Sequence, residues 1–387
     1  MRSRLCRGGV VALTLVLANG CSIPSPESLR LEPVPFSSLP DWTGDRHAGV
    51  LPALRRSCAV RARRKVAGDA RFGTADAWVA ACQAAGILAA ADDAAARRYF
   101  ETWFRPFKVV GPDGDRGLFT GYFEPELAGA PLKTKDFAVP LYGRPADLVT
   151  VRLADFRAKS AYDRIAGRVI DGVLKPYFTR AEIAAGALAG RGLELFWVAD
   201  PIEAFFLHIQ GSGQVRLPDG TRVRLGYAAA NGHVYTAIGR ALVHRGALVR
   251  EQVSLQSIRA WLRANPSEAP AILARNESYV FFHVVKGDGP LGAQGVPLTP
   301  GRSIAVDPRL VPLGLPMWID TPHPLPDQMP LRRLVVTQDT GGAIRGAVRA
   351  DVFWGSGVKA EAPAGRMRSD GRYFALVPRT LPVTAAR

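Results

Sequence analysis

The segment Leu334-Val335-Val336-Thr337-Gln338-Asp339 reads as a strand that ends in a carboxylate. Thr340-Gly341-Gly342 then turns the chain, because glycine tolerates the backbone angles of a tight turn. A second strand follows in Arg345-Gly346-Ala347-Val348-Arg349-Ala350-Asp351-Val352-Phe353-Trp354. Side chains alternate across a strand. Val348, Ala350 and Val352 therefore share one apolar face, and Arg349, Asp351 and Phe353 share the other. A cation, a carboxylic acid and an aromatic ring together suit the floor of a sugar-binding groove, with Asp351 as the candidate acid. An ion pair between Arg349 and Asp351 on the same face is the competing, purely structural reading.

Two more aspartates accompany it. Asp339 either tunes the acid or accepts N–H bonds within its own turn. Asp307, in Ile304-Ala305-Val306-Asp307-Pro308, is expected to be structural. Asp339-Thr340-Gly341 also invites comparison with an aspartic protease. That chemistry needs two such carboxylates face to face, and the chain has one copy. The six histidines are dispersed and none forms a His-x-x-x-His pair, so neither a metal site nor a cofactor is expected.

Further motifs precede these aspartates in a fixed order. They are Gly121-Tyr122-Phe123-Glu124-Pro125, His208-Ile209-Gln210-Gly211-Ser212-Gly213, Gly226-Tyr227-Ala228-Ala229-Ala230-Asn231-Gly232-His233, and the segment from Asn276 to His283. The ordered set, over about residues 100 to 380, resembles the membrane-bound lytic murein transglycosylase A family. The resemblance implies an α+β protein that is mainly β. It would hold a six-stranded double-psi β-barrel domain with a smaller β-rich domain inserted. Peptidoglycan glycan strands would lie in a groove between the two. The family cleaves the β-1,4 bond between N-acetylmuramic acid and N-acetylglucosamine and leaves a 1,6-anhydro ring. The resemblance places its acid at Asp351.

One carboxylate is chemically sufficient for that outcome. A conventional glycosidase needs two, one to protonate the leaving oxygen and one as nucleophile or base. In an anhydro-forming lyase the substrate's own 6-hydroxyl attacks, at the high effective concentration of an intramolecular group. Asp351 then gives a proton and later takes one back. That requires a raised pKa, from burial or from a neighbouring carboxylate. A hydrolase using water and a second carboxylate, and a glycan-binding protein without catalysis, are the rival readings.

Other residues are candidates for sugar contact. Gln210, Ser212 and Gly213 read as a tight hairpin that either binds acetamido groups or is a plain turn. Tyr122, Tyr227 and Phe353 either stack on sugar faces or pack in the core. Arg349 is a candidate substrate contact on the face of Asp351. Glu124 is a possible second carboxylate, although Pro125 points to a turn.

Helical, β-rich, helical and β-rich blocks succeed one another, which suggests one domain inserted in another. Residues 22–45 are rich in Pro and Ser and read as a tether. A discontinuous barrel domain is expected over 46–115 and 276–387, with an N-terminal helical segment. The insert is expected over 116–275. The pattern is helical from Gly49 to Phe107, with Thr74 to Arg98 rich in Ala. Thr179 and Glu182 form a capping box. Phe205 to Tyr227 reads as consecutive short strands, Val234 to His244 as a helix, and Ser254 as the cap of another that stops at Pro266.

The first 21 residues carry a targeting signature. Arg2, Arg4 and Arg7 precede an apolar stretch from Gly8 to Leu17, too short to span a membrane. It runs into Leu17-Ala18-Asn19-Gly20-Cys21, with Cys21 expected to become lipidated; cleavage without lipid is the alternative. The expected location is the periplasmic face of the outer membrane of a Gram-negative bacterium. Cys58 and Cys82 are a disulfide candidate in that oxidising compartment. The net charge of +16 favours a polyanionic partner. No nucleic-acid-binding signature is present. Stem-peptide carboxylates of peptidoglycan fit the charge. A monomer, with access to a cell-wall synthesis complex, is expected.

Overall fold

The computed structural model describes residues 29–64, 70–89, 92–156, 164–287 and 289–379. Cys21 and the rest of the targeting signature lie outside these residues. Strand β1 (Arg30–Pro33) pairs with β2 (Phe104–Val110), and α1 (Leu51–Arg64), α2 (Ala75–Ile87) and α3 (Asp93–Trp103) lie between them. The Ala-rich run divides because Asp92 caps α3, accepting from the N–H of Ala95 at 2.7 Å. Cys58 and Cys82 are bonded, with Cα atoms 5.5 Å apart, and staple α1 to α2.

The expected tether is too long. From residue 29 the chain is held to the body by the buried side chains of Leu29, Leu31, Leu39 and Trp42. Asp45 receives both Nη atoms of Arg302, at 2.7 and 2.8 Å. Scattered apolar residues within a Pro- and Ser-rich composition supply this anchoring.

Strand β3 (Gly117–Glu124) follows, and at Pro125 the chain leaves for a second body. That body holds β4 (Glu126–Ala130), β5 (Val139–Tyr142), β6 (Val149–Arg152), β7 (Arg164–Ile170), β8 (Val173–Pro176), α4 (Arg180–Ala184) and β9 (Glu194–Val198). It continues through α5 (Pro201–Gln210), β10 (Gly213–Arg216), β11 (Arg222–Ala230), α6 (Ile238–His244), α7 (Leu255–Ala264), α8 (Ala269–Ala274) and β12 (Val280–Val285). The chain then returns as β13 (Ser303–Ala305), β14 (Pro316–Thr321), β15 (Leu331–Asp339), β16 (Ala350–Ser356), α9 (Val358–Arg366) and β17 (Arg368–Pro378).

The structure is a mixed α+β fold dominated by sheets. The larger sheet runs β1-β2-β17-β14-β15-β13-β16-β3. The first part of β17 also pairs with β3, from Arg368↔Thr120 to Gly371↔Gly117. The order β3-β17-β14-β15-β13-β16 therefore returns to its start. The pairs β13–β15 and β16–β3 are parallel. Large side chains such as Phe107, Phe119, Trp318 and Tyr373 fill the common core. The second body has the sheet β12-β11-β10-β4-β9-β5 and the smaller sheet β6-β7-β8. It is packed as several smaller clusters rather than one.

Three expectations need correction. The 116–275 boundaries are displaced, since β3 pairs within the larger sheet and β12 pairs with β11 of the second. Phe205 to Gln210 is helix, not strand. Asp200 caps α5 and Pro201 occupies its first turn, a start signal that outweighs the β-prone Phe and Ile residues. Helix α6 begins at Ile238 rather than Val234. The capping boxes at Thr179 and Ser254 are present as expected. Among the described residues, no helix is long and apolar enough to cross a membrane.

Candidate active site

Strand β16 lies between β3 and β13, so Asp351 pairs in register with Thr120 on one side and Ala305 on the other. Its Oδ1 accepts a hydrogen bond from the Thr120 hydroxyl at 2.6 Å. Arg349 Nη2 donates to the same hydroxyl oxygen at 2.9 Å. Burial pushes the Asp351 carboxyl above the ordinary range, against the opposing pull of the Arg349 charge and the Thr120 hydrogen bond. Among the described residues Asp351 Oδ2 has no hydrogen-bond partner.

Asp339 ends β15 beside it. Its Oδ2 accepts from the Tyr122 hydroxyl at 2.8 Å. Its Oδ1 accepts the N–H groups of Ala293 at 2.8 Å and Thr340 at 2.9 Å. Burial raises this carboxyl to about 6, the three hydrogen bonds oppose the rise, and the charge of Asp351 adds to it. Asp339 organises its own turn, and the charge of Asp351 is the smallest of the influences on its carboxyl.

Asp307 is different. It is fully buried and clamped by Arg309, whose Nε meets Oδ1 at 3.0 Å and Nη2 meets Oδ2 at 2.8 Å. The N–H of Gly346 also meets Oδ2 at 2.9 Å and fixes the turn that leads into β16. Burial pushes the carboxyl up, but Arg309 and the N–H groups of Gly346 and Arg309 outweigh it and hold it below the ordinary range. This is a strut.

Strand β3 supplies partners at every second residue. Thr120 holds Asp351, Tyr122 holds Asp339, and Glu124 holds the second body. Glu124 is fully buried. It accepts from Arg224 Nε at 2.7 Å, Gln214 Nε2 at 2.7 Å and Ser356 Oγ at 2.6 Å. That is a junction, not a second free carboxylate. Gly121, between the first two, has no room for a side chain: a Cβ would stand 2.6 Å from the Trp354 indole nitrogen.

The remaining predicted contacts divide. Tyr227 is 55% exposed on β11. Gln210 Oε1 accepts from the N–H of Phe123 at 3.0 Å, so it ties α5 to β3. The expected hairpin is absent: Gly211 caps α5 in the left-handed region at φ 76°, Ser212 follows half-buried, and Gly213 opens β10. A Cβ on Gly213 would stand 2.2 Å from the end of the Leu207 side chain, which would have to move to admit it. Phe353 is not available to a sugar. It is 1% exposed, with its ring 5.3 Å from that of Tyr122. Alternation holds as far as Phe353, which pairs with Tyr122 as Asp351 pairs with Thr120, but Leu298 and Ile344 cover its ring. The Arg349 guanidinium is occupied by Thr120 and by the carbonyls of Leu118 and Ala350.

The sequence reading missed two residues. Thr120 had a signal, the alternation Thr120, Tyr122, Glu124 along β3. Tyr235, from the second body, is pushed up by burial and then by the Asp351 charge. Its loop position gave no period to read. Among the described residues, no group of three His, Cys, Asp or Glu side chains gathers as a metal site.

Comparison with known proteins agrees with this geometry. Residues 118–283 match the model of the MltA specific insert domain, and residues 302–377 match that of the 3D domain. Over 281 residues the chain is 32% identical to membrane-bound lytic murein transglycosylase A of Vibrio cholerae, covering 69% of this chain and 67% of that one. The Escherichia coli K12 protein of the same name is 31% identical over 67% of this chain and 65% of its own length. Among solved structures, a membrane-bound lytic murein transglycosylase from Agrobacterium tumefaciens superimposes with a TM-score of 0.83 at 34% identity, over 92% of this chain and 100% of that one. MltA from Neisseria gonorrhoeae superimposes at 0.74, also with 34% identity and 92% of each chain. With the two domain models matched in succession and a relative 32% identical over 69% of this chain, the chain belongs to the membrane-bound lytic murein transglycosylase A family.

Proposed function

We propose that the protein is a lytic transglycosylase that cuts peptidoglycan glycan strands, with Asp351 as acid and then base. One observation carries this. Of the three aspartates, Asp351 alone combines a raised pKa with an oxygen, Oδ2, that has no hydrogen-bond partner among the described residues. Asp307 is clamped by a guanidinium, and both oxygens of Asp339 are occupied. Neutral Asp351 donates the Oδ2 proton to the glycosidic oxygen between N-acetylmuramic acid and N-acetylglucosamine. The C1–O bond breaks and the alcohol leaves. The 6-hydroxyl of the muramoyl residue attacks C1 and returns a proton to Oδ2. No water is consumed, and a 1,6-anhydro end remains.

The return of the strand order through β3–β17, with two parallel pairs among antiparallel ones, supports a double-psi β-barrel. The substrate groove runs between this ring and the second body. Glu124–Arg224 and Arg259, which bonds Glu203 and Glu361, tie the two bodies at their junction. Tyr122 supports the site from below, and Tyr227 and Tyr235 are the rings placed to meet a sugar. Exo action, a lipid at Cys21, attachment to the periplasmic face of the outer membrane, a monomeric state and access to a cell-wall synthesis complex complete the proposal.

Digestion of purified peptidoglycan by the full chain, with mass spectrometry of released muropeptides, tests it. Products lighter by one water, with anhydro ends, are expected. Ordinary reducing ends would transfer the reading to a hydrolase. No release at all would leave a glycan-binding protein.

A further inference from the structure

The acid and its neighbour are both partly buried aspartates, yet the cations nearest them are placed unlike the one at Asp307. Arg309 grips Asp307 directly with two nitrogens. Arg349 makes no ion pair with Asp351. It reaches that carboxylate through one intervening hydroxyl, that of Thr120.

We infer that Thr120 is a positioning residue for Asp351: oriented by Arg349, its hydroxyl holds Oδ1 so that Oδ2 alone exchanges the reacting proton. This deepens the assignment of Asp351 as the acid and rests on it. The argument begins with donor counting. A hydroxyl has one proton and two lone pairs, whereas a guanidinium only donates. Arg349 Nη2 fills one lone pair of Thr120 at 2.9 Å, which turns the Thr120 proton toward Asp351 Oδ1 at 2.6 Å. The other donors of Arg349 are directed at the carbonyls of Leu118 and Ala350, which fix the guanidinium to the two strands it bridges. Parallel pairing sets Asp351 opposite Thr120, and the register is regular as far as Phe353. The backbone therefore aligns the two side chains before any substrate enters.

The device has a chemical purpose. The same carboxyl must be a donor in the first half of the reaction and an acceptor in the second. A guanidinium in direct contact holds a carboxylate ionised, as Arg309 does to Asp307. Burial without any donor would leave the anion unsupported after the first step. One hydroxyl between cation and carboxylate lies between these extremes. It supports the anion on Oδ1 and leaves Oδ2 to move the proton.

The test is the pH dependence of kcat and KM on peptidoglycan for the full chain and its Thr120→Val and Thr120→Ser variants, with melting temperature as the folding control. Thr120→Val is expected to lower kcat about tenfold, the worth of one lost hydrogen bond to a charged group, and to leave KM nearly unchanged. Its alkaline limb should move to higher pH, because the anion has lost a donor. Thr120→Ser should restore both rate and limb. If the valine variant does not fold, Thr120→Ala replaces it, and the same upward movement is expected because the hydroxyl is gone while the Arg349 charge remains. An unmoved limb, or a slow variant that serine fails to rescue, overturns the inference. Asp351→Asn separates the two failures. If Asp351→Asn stays active, the acid assignment itself falls. If it is inactive while Thr120→Val behaves as wild type, only the role of Thr120 falls.

Discussion

Asp307 follows the end of β13 and Asp351 lies near the start of neighbouring β16, the first fully and the second partly buried, and their carboxyls are driven in opposite directions. Asp307 has a bidentate guanidinium and two backbone N–H groups, and is held below the ordinary range. Asp351 has one hydroxyl, and burial pushes it up. Burial alone does not make an acid. The number and charge of the donors that follow burial decide whether an aspartate is a strut or a proton carrier. Asp339 has three neutral donors, and burial raises it to about 6.

The largest effect is expected at Asp351. Asp351→Asn removes the exchangeable proton and should lower kcat about 10³-fold, within the usual range for a general acid. Its circular dichroism and melting temperature should match the wild type. Activity within tenfold of wild type would place the acid elsewhere. Next comes Asp307→Asn, which removes the charge that both nitrogens of Arg309 and the N–H of Gly346 grip. A loss of about 3 kcal/mol of stability is expected, as for one broken buried pair. Activity per folded molecule should survive. The wild-type contribution of Asp307 is present at pH above its unfolded pKa and is lost only as pH falls through the depressed folded value. A variant that is as stable as wild type in urea, yet inactive, would reverse the roles given to these two aspartates.

Asp339→Asn should do the opposite to stability. Its folded pKa is raised to about 6 from 3.8, so ionisation of the buried group costs the native state stability as pH rises through that window. The amide keeps the hydrogen-bonding positions without the charge. A gain of about 2 kcal/mol is expected at pH 7, after allowance for residual exposure, and it should vanish below pH 3.8. Paired thermal melts at these two pH values check it. A gain that persists unchanged at the acid end would mean that something other than the charge had been relieved.

The sequence revealed the strut and the acid unequally. The alternation along β16 put Arg349 and Asp351 together, and the strand–turn reading of Asp339 holds in the structure. Phe353 keeps the alternation but not the exposure, because Leu298 and Ile344, distant in sequence, cover its ring, and strand period carries no information about such cover. Arg309, two residues from Asp307, lies in a turn where no periodicity exists to say that it folds back. Helix α5 was hidden by its Phe and Ile content, although Asp200-Pro201 announced its start. Pairing of β3 with both β16 and β17 is a long-range choice that local propensity does not encode. That pairing is what delivers Thr120 and Tyr122 to their carboxylates.

Tyr122→Phe is the smallest and most discriminating change. It removes one hydrogen bond, that from the phenol to Asp339 Oδ2, and leaves the ring packed against Phe353. About 1 kcal/mol of stability should be lost, the net worth of one such bond, and kcat should change by less than about threefold. The informative signal is in the pH profile. The phenol supports the Asp339 anion, so without it Asp339 holds its proton to higher pH. A neutral Asp339 no longer repels the charge that forms on Asp351, and the proton of Asp351 comes off more easily. The alkaline limb should therefore move to lower pH, opposite to the movement expected for Thr120→Val. Two hydroxyls, two residues apart on one strand, thus push the same titration in opposite directions. Each does so by acting first on a different aspartate. If both variants moved the limb the same way, the two carboxylates would share one hydrogen-bonded proton, and the division between tuner and acid would have to be abandoned.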